Sequence, residues 1–301
     1  MKPGLRLLAF VVLLTVLGVA IFLATFDADR YRPLLVSKLE EALGHPVTLE
    51  RLSLGWRNGI AVQLRNLSIR EDASAAGEPL VRIESASALV RLGPLLRKEV
   101  QVSSIVLSRP QIRLARDAQG SLNVLGLVAV VSPAAGAARS TTVGGTPVSL
   151  NIGSFRVEDG ALHWTDALTH PPTDLWLKRV DCVVRNIAPG TPMDIDLKAA
   201  FGAAEQNLHL SGRLTLPSRT HAGSLEQGTF AVEALVIQDI LPAVRQGVPH
   251  LQGKLSMTVQ GSAATLSPSR IRQAVTASGR LKLTEARVAN LNVVRAVLEK
   301  I

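Results

Sequence analysis

The chain has 301 residues, 47 % of them hydrophobic, and that content excludes an intrinsically disordered protein. Its net charge of +9 invites a nucleic-acid reading, but the arginines stand singly, as at Arg65, Arg70, Arg82, Arg91 and Arg113, and aromatics make up only 3 %. Without a basic cluster interleaved with aromatics there is no stacking platform for bases, and a solvated basic face beside an anionic membrane surface accounts for the charge.

From Leu7 to Phe26 no residue carries a charge. At about 1.5 Å per residue this run spans the hydrocarbon core of a bilayer, about 30 Å thick. Lys2 and Arg6 precede it, and Asp27 and Asp29 follow it. The positive-inside bias therefore keeps the N-terminus cytoplasmic and sends the rest of the chain across the membrane. A cleaved signal peptide is the competing reading. Its apolar core would run about 7–15 residues and end in a small-x-small site, whereas this run is longer and ends Phe22-Leu23-Ala24-Thr25-Phe26. Residues 1–26 thus read as a cytoplasmic N-terminus and a retained single span. Cys182 lies far from the membrane-proximal segment, so lipidation does not supply the anchor.

A short amphipathic helix is predicted next. Tyr31, Leu34, Leu35, Leu39 and Leu43 recur at spacings of three and four, Asp29 is placed to cap its start, and Pro33 fits its first turn. Gly44 and Pro46 stop it. The pattern suits a helix lying in the membrane interface or one plugging the end of a β-structure.

Beyond Pro46 the period falls to two. Ile60, Val62 and Leu64 alternate with Ala61, Gln63 and Arg65, and then the parity slips to Leu67 and Ile69. A slip would turn the apolar set to the other face unless a β-bulge takes up one residue, so a bulge is predicted near Arg65-Asn66. The slip recurs at Leu49, Leu52 and Leu54, at Ile83, Ala86 and Ala88, and at Val232, Leu235 and Ile237. Two segments match in full. Val102, Ile105, Leu107, Pro110, Ile112 and Leu114 step by 3, 2, 3, 2, 2, and Ile152, Phe155, Val157, Gly160, Leu162 and Trp164 step identically. Bulges are therefore predicted at Ser103-Ser104 and Gly153-Ser154, and the self-similarity suggests repeated units stacked along one axis.

Ile195, Leu197, Ala199 and Phe201, like Leu255, Met257 and Val259, show plain alternation. One wet and one apolar face excludes a doubly covered parallel sheet, so the class is mainly β and antiparallel. Residues 27–127 form a first helix-plus-β segment. Residues 128–147, rich in Ala, Gly, Ser and Thr, read as a flexible linker or long loop, and residues 148–301 as a second β segment. Helical spacing returns at Leu291, Val294, Val297, Leu298 and Ile301, and an uncapped end inside that helix suggests a piece of something longer.

No constellation for chemistry emerges. His45, His163, His170, His209, His221 and His250 are scattered, with no Cys/His cluster and no His pair flanking a Glu. No metal or cofactor site is expected from them. His163 and His209 fall on the polar phase of their strands. Glu158, Asp159 and Asp166 surround Trp164, but a turn at Glu158-Asp159-Gly160 explains the first two. No catalytic residue is assigned, and an enzyme is not expected. Cys182, without a second cysteine, reads as a small buried hydrophobe.

These residues resemble the AsmA family of Gram-negative inner-membrane proteins. The resemblance runs from the anchor through FDADRYRPLLVSKLEEALGHPVTLERLSLGW and LVRIESASALVRLGPLLRKEVQVSSIVLSRPQIRLARDAQGSLNVLGL to ILPAVRQGVPHLQGKLSMTVQGSAAT and ASGRLKLTEARVANLNVVRAVLEKI. It implies a single-span protein of the inner (plasma) membrane with its bulk in the periplasm. It further implies an elongated U-shaped β-groove similar to those of chorein-type lipid-bridge proteins, and a part in phospholipid transport toward, and homeostasis of, the outer membrane. Lipid-bridge members are longer, and that is where this chain departs.

The residue pattern points the same way. A one-sided sheet exposes an apolar face larger than monomers tolerate, so a second sheet or acyl chains must cover it. A trough of roughly 14–16 strands, about 4.8 Å apart, would be about 70 Å long; a sandwich built from the same strands shows the same alternation. For a groove, the expected lining is Val102, Ile105, Leu107, Ile112, Leu114, Ile152, Phe155, Val157, Leu162 and Trp164. The partners expected are phospholipid and the inner membrane. An assembly or scaffold factor meeting envelope proteins through its strand edges is the alternative.

Overall fold

The alternating segments form strands that hydrogen-bond side by side in one long open sheet of the computed structural model. The structure describes residues 27–56, 59–71, 78–91, 93, 101–123, 142–143, 146–147, 152–169, 172–188, 190–216, 223–237, 250–267 and 271–289. The N-terminal strands are β1 (Val47–Trp56), β2 (Ile60–Ile69), β3 (Val81–Val90) and β4 (Val102–Arg116). A separate two-stranded pair, β5 (Thr142–Val143) and β6 (Thr146–Pro147), follows. Then come β7 (Ile152–Asp166), β8 (Thr173–Ile187), β9 (Pro192–Phe201), β10 (Leu208–Thr215), β11 (Ser224–Val236), β12 (His250–Ala263) and β13 (Val275–Ala289). The 11-stranded sheet keeps this order, with β4 beside β7. Its edges, β1 and β13, do not meet, so it is not a barrel. Among the described residues substantial strand contacts run only between sheet neighbours, so no second sheet packs across it as a sandwich requires.

The predicted span Leu7–Phe26, most of the predicted linker 128–147 and the helical pattern from Leu291 to Ile301 lie outside the described residues. Among the described residues no helix is long and apolar enough to cross a membrane. Among the described residues the sheet has eleven strands, fewer than the 14–16 expected, and four of them reach 15 residues. Eleven strands at about 4.8 Å span about 48 Å.

Antiparallel pairing holds everywhere except between β4 and β7, which run parallel. These are the two segments of identical spacing. They pair at a constant offset from Val102↔Ile152 to Arg116↔Asp166, side by side in one sheet. Parallel pairing keeps the asymmetric series 3, 2, 3, 2, 2 aligned along its whole length, whereas antiparallel pairing would set it against its own reverse.

The slips take two forms. At Ser103 the predicted bulge is present: the register of β3 and β4 shifts by one between Leu89↔Ser104 and Val90↔Val102. Val102 and Ile105 therefore share a face, as do their partners Ile152 and Phe155. At Asn66 the expected extra residue is absent, because Leu49↔Leu67 and Arg51↔Arg65 keep one register. Both strands slip at the same level, and so does β3, where Glu84 stands between Asn66 of β2 and Arg109 of β4. Left-handed backbone makes these turns: φ is 48° at Asn66, 48° at Arg109, 51° at Asp159 and 51° at Arg179. Polar contacts on the side away from the apolar residues accompany them. Asn66 Nδ2 donates to Glu50, Arg109 pairs with Glu84, and the Asp159 N–H donates to Asp181 Oδ1 at 2.9 Å.

A 3-10 turn (Ala28–Tyr31) leads into helix α1 (Arg32–Leu43), which lies over the apolar side of β1 and β2. Pro33 occupies its first turn and Gly44 closes it in the left-handed region, as predicted. The cap differs. Asp27 accepts the Asp29 N–H at 3.2 Å, while Asp29 Oδ1 accepts the Leu52 N–H at 3.0 Å and ties the turn to β1. The apolar stripe is narrower than its spacing suggests. Leu35 and Val36 pack on Ala28, Leu49 and Leu52, whereas Tyr31 and Leu34 stay 50 % and 60 % exposed.

Because Asn66 combines a positive φ with its contact to Glu50, Asn66→Ala should cost about 1–2 kcal/mol. Asn66→Gly, which tolerates that backbone, should cost under about 1 kcal/mol. Urea denaturation of the two variants beside the parent checks the order.

Candidate functional site

Direct strand pairing strings the apolar residues into rows perpendicular to the strands. One row crosses the whole sheet: Leu52, Leu64, Ala86, Leu107, Val157, Cys182, Leu197, Leu210, Phe230, Val259 and Gly279. A second runs beside it from Leu54 through Val62, Ala88, Ile105, Phe155, Val184 and Ile195 to Gly212. The aligned slips and bulges keep the rows continuous. Without them the strands that carry a slip would turn their apolar set away halfway along.

The ten residues expected to line a groove fall on this face as five facing pairs: Val102 with Ile152, Ile105 with Phe155, Leu107 with Val157, Ile112 with Leu162, and Leu114 with Trp164. None of the ten is buried. Farther along the same face Leu210, Leu281 and Leu283 are 40 %, 64 % and 37 % exposed. Helix α1 covers the face over β1 and β2; beyond it Ile83, Ala86, Ala199 and Val232 are buried, while the row from Leu107 to Leu210 is half-buried to exposed. Cys182 joins the first row half-buried, and burial pushes its thiol up from the ordinary cysteine value. Sequence reading left Cys182, Leu210 and Phe230 out of the lining; the slip in each strand's parity was visible, but which residues face one another across strands was not.

At one end of β4 and β7 the apolar side carries a charge pair. Arg116 Nε donates to Asp166 Oδ1 at 2.9 Å, and a second guanidinium nitrogen reaches Oδ2. The Arg116 guanidinium also lies 6.0 Å from the Trp164 ring centre. Asp166 accepts the Leu168 N–H as well, and is buried. The Arg116 hydrogen bond holds its carboxyl below the usual carboxylate range, against the opposing effect of burial. Asp166 is therefore a latch between parallel strands. Glu158 and Asp159 lie on the opposite face, and Glu158 is eight residues, about 26 Å, along the strand from it. The three carboxyls are not brought together.

On the polar face His163 stacks on Trp176 with ring centres 3.9 Å apart and contacts Asp174 at 2.9 Å, and Lys178 Nζ lies 5.5 Å from the same indole's centre. His209 sits 3.1 Å from Asp196. Among the described residues no three His, Cys, Asp or Glu side chains converge as metal ligands would.

Comparison with known proteins gives one family: a profile of the AsmA family matches residues 1–171. No curated protein matches the chain significantly.

A carboxylate held below its ordinary value contributes stability above about pH 4 and loses it as pH falls through its folded value. Asp166→Asn should lower the melting temperature at neutral pH and flatten its fall between about pH 7 and about pH 3. Thermal melts by circular dichroism across that range check both effects.

Proposed function

The chain belongs to the AsmA family, and from that membership and the uncovered apolar rows we propose a membrane-anchored periplasmic carrier of phospholipid. Residues 7–26 hold it in the inner membrane, and the sheet curves into a U-shaped groove. Acyl chains lie along the rows without covalent chemistry, and the protein contributes to phospholipid transport toward, and homeostasis of, the outer membrane. No catalytic residue, metal or cofactor enters this reading. The single observation that carries it is the apolar row that crosses eleven strands and, past Ala86 of β3, holds no buried member: Leu107, Val157, Cys182 and Leu197 are half-buried and Leu210 is exposed. Exposed apolar patches above several hundred Å² are rare on soluble monomers without a partner. Full burial of one aliphatic side chain contributes about 1.5–3 kcal/mol, so a few contacts hold a tail.

A second reading, a non-enzymatic outer-membrane assembly or scaffold factor, is favoured by β13, which among the described residues has no strand on its outer edge and whose exposed Leu281 could meet a partner's strand there. What occupies the apolar face separates the two.

Native mass spectrometry of the detergent-extracted protein should find bound phospholipid, and photo-crosslinkers at Val157 and Leu114 should capture lipid. Capture of protein at both positions, with no lipid in the spectra, would favour the scaffold. Replacing Leu107 and Val157 together by Glu should cut co-purified lipid at least several-fold while the fold persists, since each charge would face the acyl chain unpaired.

A further inference from the structure

The polar face of the first edge carries an arrangement that an isolated sheet disfavours. Arg51 of β1 and Arg65 of β2 are directly paired across the strands, and both are exposed. Like charges directly opposite destabilise a strand pair. Among the described residues neither has an acidic partner within ion-pair distance, because Glu50 engages Asn66 and Glu84 engages Arg109.

The location of this patch follows from one hydrogen bond. Asp29 Oδ1 accepts the Leu52 N–H, so the chain is fixed against β1 one residue from Arg51. Phe26, the last residue of the uncharged run, is three residues before Asp29. Three residues reach at most about 11 Å, close to the Debye length of about 10 Å at moderate salt. If residues 7–26 span the membrane, covalent geometry brings Arg51 into the field of the bilayer surface. We propose that Arg51 and Arg65 seat the first edge of the sheet on anionic phospholipid headgroups of the membrane that carries that span. Headgroup phosphates then supply the negative charge that the strand pair lacks, and the seated edge fixes how the apolar rows rise from the bilayer. The proposal rests on the reading of residues 7–26 as a membrane span, not on lipid carriage.

The test uses the full chain, with Cys182→Ser and Gln63→Cys, carrying an environment-sensitive fluorophore at position 63 beside Arg65. It is reconstituted into vesicles of phosphatidylcholine alone or with added phosphatidylglycerol. Emission should brighten and shift to the blue only in the anionic vesicles, and high salt should reverse it. At about 1 kcal/mol per arginine near an anionic surface, R51Q/R65Q should lower the ratio of seated to unseated protein about 30-fold. The same variant should melt no lower than the parent, since it removes a like-charge pair. R65E, which gives Arg51 a partner within the sheet, should abolish seating, and R179Q, whose arginine already pairs with Glu205, should leave it unchanged. Equal emission in both vesicle types, or seating that survives R51Q/R65Q, would overturn the proposal. Flotation after a carbonate wash reads the span separately. A chain that floats with unchanged emission removes the seating alone, and a chain washed from the vesicles removes the span and the seating with it.

Discussion

The two-residue period of a strand is the constraint on which this molecule depends. A strand that slips by one residue exchanges its faces unless its neighbour slips at the same level or a β-bulge takes up the extra residue. Both occur here: β1, β2 and β3 slip together, and a bulge at Ser103 shifts β4 against β3. Asn66, Arg109, Asp159 and Arg179 adopt left-handed backbone on successive parts of the sheet, with Glu84 level with two of them. Each such residue costs about 1–2 kcal/mol of backbone strain. The polar contacts that cross the bends, Asn66 with Glu50 and Arg109 with Glu84, offset part of it.

Alignment of the bends turns separate strands into continuous apolar rows, and the rows shape everything that follows. Helix α1 covers their first stretch with Leu35 and Val36, and the polar ties of the turn before it, Asp29 to Leu52, hold that cover in place. Beyond β2 nothing comparable lies on the described face. Among the described residues substantial strand contacts run only between sheet neighbours, and that distinguishes this sheet from half of a sandwich.

Much of this was legible residue by residue. The parity slips marked the bends, and the shared series of steps in Val102–Leu114 and Ile152–Trp164 marked two strands that behave alike. What the series could not say was that the two strands are neighbours, because spacing along a chain carries no information about which strand lies beside which. For the same reason the slip at Arg65-Asn66 read as an extra residue in one strand, when the partner slips with it and the register is kept. The stack of His163 on Trp176 left no trace in the sequence, since its partners come from different strands. The stripe of α1 misled by one side: spacing placed Tyr31 and Leu34 with Leu35, but helix packing uses only the flank that the sheet can reach.

The parallel join between β4 and β7 has a consequence for growth. To either side of it every neighbour pair is antiparallel, so a hairpin added at one side leaves the direction of the outermost strand unchanged. Each added hairpin advances that edge by about 10 Å, two strand spacings, without disturbing the join or the alignment of its bends. Such a sheet is a ruler graduated in hairpins. Its reach can be lengthened or shortened in whole divisions, each of two strands.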